Sequence, residues 1–597
     1  MANGGTNGST PEFTEIAEAL GKAAARLQTN WTDWMSSLAR QQGEGSQPTS
    51  GFRSVAEGLP DLQFDPSRIM TRQLELWRDY QTLWLSTTTR MMGQDASPVI
   101  EPEQGDQRFR DAEWSANPVF DFIKQSYLLN ARWLRETVAE VDGLDADSAR
   151  KLEFFGRLLV DALAPTNFAL TNPQVLRETA DSKGENLVRG MQNLSGDLRA
   201  GRDGLRPQQT DMSAFEVGKN IATTAGSVIH QTPLMQLIQY EPTTKTVYRK
   251  PLLIVPPWIN KYYILDLKPE NSFVRWATEQ GYTVFMISWV NPDERLSDKG
   301  FDDYVRDGIF AALDAVEHAT GERQVTAIGY CIGGTLLSAA LAHMAATGDD
   351  RISAATFFAA QADFENAGDL KVFTDKGQVD ALEHQVRAKG YLDGAQMAGT
   401  FNALRANDLI WYFVINNYLL GKEPPVFDLL FWNADSTRFP ARLLLDYLRG
   451  MYQQNALAQK GNFKLLGTPL DLGAVTLPVY IQASVEDHIA PAESVFKLNH
   501  LFSGPKRFVL AGAGHIAGVV NPPAKRKYQH WLNTRRKAYA TFDAWLDDAV
   551  EHPGSWWPDW HKWLSRRSGP KVPSRVVGEG AAKIIEPAPG SYVLVRS

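Results

Sequence analysis

Three side chains in this sequence have the types and the order that nucleophilic acyl chemistry needs: Cys331, Asp487 and His515. Cys331 is the only cysteine in 597 residues and sits in Gly329-Tyr330-Cys331-Ile332-Gly333-Gly334. A thiol is only slightly ionised at neutral pH, so a nucleophilic cysteine needs a base within hydrogen-bond reach. His515, in Gly512-Ala513-Gly514-His515-Ile516, supplies one. A carboxylate behind such a histidine fixes its tautomer and stabilises the imidazolium. Asp487 lies in Ser484-Val485-Glu486-Asp487-His488, where Glu486 and His488 compete for the same roles. Adjacent loop residues point different ways, so one of the two acids reaches the histidine; Asp487 is the better candidate, as His515 is over His488. A free cysteine more often packs as a small hydrophobe, but a core residue has no use for glycines on both sides. His230, His318 and His384 lack a strand-end context and read as structural.

The elements that must position these groups can be traced from periodicity. Leu252–Val255, Tyr282–Ile287, Val325–Ile328 and Ala354–Phe358 read as short buried strands, and Pro478–Ala483 and Lys506–Leu510 resume the series. Helical patterns at Ser272–Gln280 and Asp303–Ala319 separate them, which predicts a mostly parallel α/β sheet. Cys331 then ends the third strand at a glycine-flanked turn that runs into the small-residue helix Thr335–Leu341. Asp487 follows one late strand and His515 the next. Nucleophile, acid and histidine in that order at strand ends predict an α/β-hydrolase core, with cysteine where serine is usual. The oxyanion hole of such a site uses the N–H of the residue after the nucleophile, here Ile332, and one from the loop after an early strand. In Pro256-Pro257-Trp258-Ile259-Asn260-Lys261 the prolines have no N–H to offer, and Ile259 is the choice. The alternation lapses over residues 361–475, an aromatic-rich insertion that reads as a lid or cap excluding water.

Length alone predicts more than one domain, and 43% hydrophobic with 22% charged residues is an ordinary globular composition. A net charge of −8 and a pI near 5.8 argue against nucleic-acid binding, which wants a basic face. A single cysteine rules out an intramolecular disulfide or a cysteine-cluster metal site and fits a reducing cytoplasm. No metal is expected, no apolar run has the length of a membrane span, and Met1–Thr10 has no signal-peptide pattern. Residues 1–60 read as flexible and partly disordered, apart from a helical pattern at Phe13, Ile16, Ala17 and Leu20. Residues 61–210 read as a mainly helical N-terminal domain and 211–597 as the catalytic domain. The helical part carries stripes at Leu76, Trp77, Tyr80, Leu83 and Trp84 and at Phe155, Leu158, Leu159 and Ala162, the latter stopping before Pro165. These stripes either pack on one another or meet a partner or hydrophobic surface.

Longer blocks of the sequence resemble those of poly(3-hydroxyalkanoate) synthases of the long, single-subunit class I type, from about Leu152 to the C-terminus. They include Pro165-Thr166-Asn167-Phe168, Pro256–Leu267, Ser288-Trp289-Val290-Asn291-Pro292-Asp293, the Gly-Tyr-Cys-Ile-Gly-Gly box and Asn407-Asp408-Leu409-Ile410-Trp411. Phe427–Asn433, Glu486-Asp487-His488-Ile489, Gly514–Pro523 and Gly554–Trp560 complete the set; Trp258 and Ala434 depart from the family's usual smaller residues. The resemblance implies an acyltransferase that polymerises (R)-3-hydroxyacyl-CoA, chiefly 3-hydroxybutyryl-CoA, onto a growing polyester through a thioester on Cys331. Coenzyme A is then a leaving group and no separate cofactor is needed. Exchange of one thioester for another is nearly isoenergetic, a reason to use cysteine. Either His515 or Asp487 would activate the 3-hydroxyl. CoA phosphates call for a basic side chain near the lid, and Arg405 is the candidate. The resemblance also implies a cytoplasmic homodimer on polyhydroxyalkanoate granules, with phasin-type proteins as partners. The competing readings are a cysteine-dependent hydrolase, acting as an acyl-CoA thioesterase or intracellular polyester depolymerase, and a granule-surface binding protein with a vestigial site.

Overall fold

A side-chain oxygen followed by proline starts both long N-terminal helices. Asp65 accepts the Ser67 N–H at 2.8 Å ahead of α1 (Pro66–Met91), and Asn117 accepts the Val119 N–H at 2.9 Å ahead of α2 (Pro118–Ala139). A third helix, α3 (Ala146–Ala162), is capped by Asp145 and ends before Pro165. Leu76 and Leu83 of α1 bury against Phe122 and Leu129 of α2, and the ion pairs Arg90–Asp121 and Arg132–Asp79 flank that seam. The aromatic stripe expected on α1 is therefore split: Trp77 and Trp84 stay 59% and 45% exposed, because the seam follows the leucines. The computed structural model describes residues 65–201, 206–535, 537–578 and 581–596, so the helical pattern at Phe13–Leu20 lies outside the described residues.

The chain divides into two compact units, Met1–Arg177 and Glu178–Ser597. The first ends at Arg177, not near residue 210, because α4 (Glu185–Arg199) belongs to the second unit. There Asn186 Nδ2 donates to the Leu419 carbonyl at 2.8 Å, Asn193 Nδ2 to the Asn417 carbonyl at 3.0 Å, and the Tyr418 hydroxyl to Asp197 at 2.7 Å.

The second unit is built on an 11-stranded sheet. In chain order its strands are β1 (Gly226–Gln231), β2 (Met235–Tyr240), β3 (Leu252–Val255), β4 (Val284–Trp289), β5 (Val325–Tyr330), β6 (Ile352–Phe358), β7 (Val479–Ser484), β8 (Lys506–Ala511), β9 (Gln529–Leu532), β10 (Val550–Pro553) and β11 (Glu586–Pro587). Across the sheet the order is β10-β9-β8-β7-β6-β5-β3-β4-β2-β1-β11. The six strands β8 to β4 in that order are mutually parallel, and they are the six that periodicity predicts. The flanking strands are antiparallel.

Alternate residues of the parallel strands feed two cores. Leu253, Val255, Ala327, Phe357 and Ile481 face one side, with Leu336, Leu337 and Ala340 of α6 (Ile332–Thr347). Leu252, Ile254, Ile328, Phe358 and Tyr480 face the other, with Phe273 of α5 (Phe273–Glu279) and Trp557 and Trp560 of α7 (Trp557–Ser565). A parallel sheet buried on both faces explains why its strands read as short continuous apolar runs. The long connection between β6 and β7 carries helices at Lys376–Lys389, Gly394–Leu404 and Ala441–Tyr447.

Candidate active site

Cys331 stands between the last residue of β5 and the first of α6, at φ 53° and ψ −128°. That backbone conformation is rare for a residue with a Cβ, and it persists only where the surroundings enforce it. Here the Cys331 N–H donates to the Phe358 carbonyl at 2.9 Å and the Cys331 carbonyl accepts the Gly334 N–H at 2.9 Å. The neighbouring glycines are steric requirements. A Cβ on Gly329 would lie 2.5 Å from the Gly334 Cα, and one on Gly333 would lie 2.4 Å and 2.6 Å from the carbonyl oxygens of Val255 and Pro256. The elbow is thus wedged against the end of β3, next to the loop that carries Ile259.

Asp487 follows β7 and His515 follows β8, and the structure brings both to Cys331. His515 Nδ1 lies 2.6 Å from Asp487 Oδ2, and the same ring is near enough to the Cys331 side chain to be influenced by it. The other carboxylate oxygen of Asp487 accepts the N–H groups of Ile489 and Ala490, both at 2.9 Å. The two competitors are placed differently: Glu486 is exposed, and His488, which burial pushes down to about 4, has no hydrogen-bond partner at Nδ1. For His515 burial acts against the charged ring, but the Asp487 carboxylate and the Cys331 sulfur outweigh it and hold the imidazolium well above its ordinary range. Tyr330 stacks on the imidazole with ring centroids 5.8 Å apart. From below, Trp556 Nε1 donates to the Gly518 carbonyl at 2.7 Å and Trp557 Nε1 to that of Val519 at 2.9 Å, bracing the loop that presents His515.

Ile332, the first residue of α6, has an N–H with no acceptor inside its own helix, and the helix dipole adds to its positive end. Ile259 lies in the loop after β3, whose carbonyls are claimed one by one. Trp289 Nε1 donates to the Pro256 oxygen at 2.9 Å, Thr437 Oγ1 to that of Trp258 at 2.6 Å, the Thr437 N–H to that of Ile259 at 3.3 Å, and Trp432 Nε1 to that of Lys261 at 2.6 Å. In a trans peptide C=O and N–H point opposite ways, so holding the Trp258 oxygen toward Thr437 turns the Ile259 N–H away from it. Thr437 belongs to the cap and escaped sequence reasoning; no local pattern ties it to the loop.

Arg405 is half exposed and ion-paired with Asp408. One guanidinium nitrogen lies 3.9 Å from where a Cβ on Gly514 would be, so it borders the His515 loop. Within the cap, Tyr452 is buried and Tyr447 partly so, and burial first, with the Cys331 side chain contributing to both and Tyr452 to Tyr447, raises both phenols. They pack with each other, ring centroids 5.5 Å apart, and with Phe364. Among the described residues no three His, Cys, Asp or Glu side chains converge as a metal-ligand set.

A six-stranded parallel core with a glycine-flanked cysteine elbow after β5, an aspartate after β7 and a histidine after β8 defines an α/β-hydrolase-fold protein, and the alpha/beta hydrolase fold family matches residues 251–522. The poly-beta-hydroxybutyrate polymerase N-terminus family matches residues 105–277. The poly(3-hydroxyalkanoate) polymerase of Methylorubrum extorquens is 53% identical, with 99% of each chain aligned. Poly(3-hydroxyalkanoate) polymerase subunits of Rhizobium meliloti (strain 1021) and Cupriavidus necator are 48% and 39% identical; the alignments cover 98% of this chain and 94% of the first, and 95% of both for the second. The chain belongs to the poly(3-hydroxyalkanoate) polymerase family.

Proposed function

We propose that this protein polymerises (R)-3-hydroxyacyl-CoA through a thioester on Cys331. The observation that carries the reading is the His515–Asp487 pair set against a strained cysteine at the elbow. His515 Nε2 takes the thiol proton and the sulfur attacks the substrate carbonyl. The oxyanion rests on the N–H groups of Ile332 and Ile259. Collapse breaks the C–S bond to CoA, which leaves with the proton from the imidazolium. The 3-hydroxyl of the next hydroxyacyl-CoA then attacks the Cys331 thioester; an ester forms, the sulfur leaves, and the lengthened chain on CoA returns to Cys331. His515 is the base in this step too, since both oxygens of Asp487 already accept hydrogen bonds.

The cap keeps water from the acyl-enzyme, and Tyr447, Tyr452 and Phe364, packed on one another, favour a short acyl chain such as 3-hydroxybutyryl. Arg405 at the edge of the His515 loop meets the CoA phosphates after release from Asp408. No helix among the described residues is long and apolar enough to cross a membrane. The protein acts as a homodimer on cytoplasmic polymer granules, where phasin-type proteins join it. The test is incubation with (R)-3-hydroxybutyryl-CoA, measuring CoA and insoluble polymer together. CoA release with polymer, both lost in Cys331→Ala, is expected; CoA release with only soluble hydroxy acid identifies a thioesterase instead.

A further inference from the structure

Lys261 closes the oxyanion loop and is buried, with only 3% of its side chain exposed. Its ammonium has three protons and three partners: the carbonyls of Val593 and Val595 at 2.6 Å and 2.7 Å, and Asp435 Oδ1 at 3.1 Å. The second oxygen of Asp435 accepts the Tyr263 hydroxyl at 2.8 Å. Asp435 is followed by Ser436, which bridges Asn260, and by Thr437, which holds the carbonyls of Trp258 and Ile259. A second link runs through Asn291, whose side chain donates to the Val595 carbonyl at 3.2 Å and accepts the Arg438 N–H at 2.9 Å. Three segments far apart in sequence thus meet on one cation: the oxyanion loop, the cap at 435–438 and the C-terminal segment at 593–595.

We infer that Lys261 is a positioning residue: its ammonium clamps the cap and the C-terminal segment onto the oxyanion loop and so holds the Ile259 N–H in its donor orientation. The inference rests on the acyl-transfer reading above. A buried ammonium is tolerated only when all its donors are used, so the C-terminal carbonyls and Asp435 are jointly required. Loss of any member frees Thr437 and lets the Trp258–Ile259 peptide turn. Lysine, not a hydrophobe, suits this place because one atom must reach two carbonyls and a carboxylate that approach from different segments.

The test compares two reactions of Cys331. Acylation by 3-hydroxybutyryl-CoA, followed by rapid quench and intact mass, needs the oxyanion hole; alkylation by iodoacetamide needs the thiolate and His515 but forms no oxyanion. In Lys261→Met, in a chain ending at Tyr592 and in Thr437→Val, acylation should slow by on the order of tenfold to a hundredfold, less than losing a donor outright costs. Alkylation should stay within twofold. Combining Lys261→Met with the truncation should add nothing further, since both remove one clamp. Where Lys261→Met does not fold, Thr437→Val carries the same comparison. Normal acylation in the variants, a parallel fall in alkylation, or multiplying effects would overturn the clamp. A wild-type protein that alkylates but takes no acyl group from CoA would overturn the acyl-transfer reading itself.

Discussion

Asp487→Asn isolates the carboxylate charge without changing the size of the side chain. The two backbone donors at Ile489 and Ala490 both address one oxygen of Asp487. In the variant the amide oxygen must take that place, which turns the amide NH₂ toward His515 Nδ1. The imidazole is then forced to accept at Nδ1 and to carry its proton on Nε2, where it cannot take the proton of Cys331. The lost stabilisation of the imidazolium is about 4 kcal/mol for unit charges near 4 Å at an effective dielectric of about 20. That corresponds to about a thousandfold in rate. The assay is CoA release with polymer yield, paired with iodoacetamide alkylation across pH. The pH dependence of stability should also change sign. In the wild type the raised imidazolium contributes stability that is complete below the unfolded histidine value and lost as pH rises through the folded one. In the variant burial is left as the main influence, so His515 falls below its ordinary value and stability is lost toward acid. A variant within tenfold of wild type, with an unchanged stability profile, would refute this account of the pair.

Gly333→Ala should cost about 3 kcal/mol in urea unfolding and abolish acylation in whatever folds, because the new methyl meets the Val255 and Pro256 carbonyls at 2.4 Å and 2.6 Å; a fully active, equally stable variant would refute the wedge. Asp266 is buried with the hydroxyls of Thr224 and Ser272 as partners, and burial pushes it up to about 6 from 3.8. The folded state keeps a proton that the unfolded chain loses, so this group's contribution is present below the unfolded value and lost as pH rises to about 6, about 3 kcal/mol in all. Asp266→Asn should flatten the stability profile over that window by a comparable amount, as measured by urea titrations at several pH values.

The catalytic elements were legible because their signals are local. Short apolar runs mark the doubly buried strands β3 to β8, and Gly329 and Gly333 betray a turn with no room for side chains. The antiparallel strands were not. Met235–Tyr240 mixes glutamines with its apolar residues, and Gln236 and Gln239 are buried, which breaks the alternation a half-exposed strand should show. The domain boundary was misplaced for a related reason: α4 is amphipathic like the helices before it, and only its hydrogen bonds to 417–422 assign it to the catalytic unit. Trp556 and Trp557 belonged to a visible block, yet that their indoles support Gly518 and Val519 depends on a register between segments that no spacing encodes. Lys261 belonged to a visible block too, but a lysine beside tyrosines predicts a surface until Asp435 and Val593 arrive from elsewhere.

The clamp and the base act on different parts of the cycle. Acylation by CoA thioester and attack by the 3-hydroxyl both pass through a tetrahedral oxyanion on the same carbonyl, held by the same two N–H groups. A displaced Ile259 donor therefore slows both half-reactions by a similar factor, and the fraction of enzyme carrying an acyl group during turnover stays where it was. A weakened base acts unequally: a thiol gives up its proton far more readily than an aliphatic hydroxyl, so loss of basicity at His515 delays elongation more than acylation and acyl-enzyme accumulates. The bound fraction under turnover thus separates the two roles even where kcat falls alike, and it does so at Cys331 alone, the only thiol in the chain.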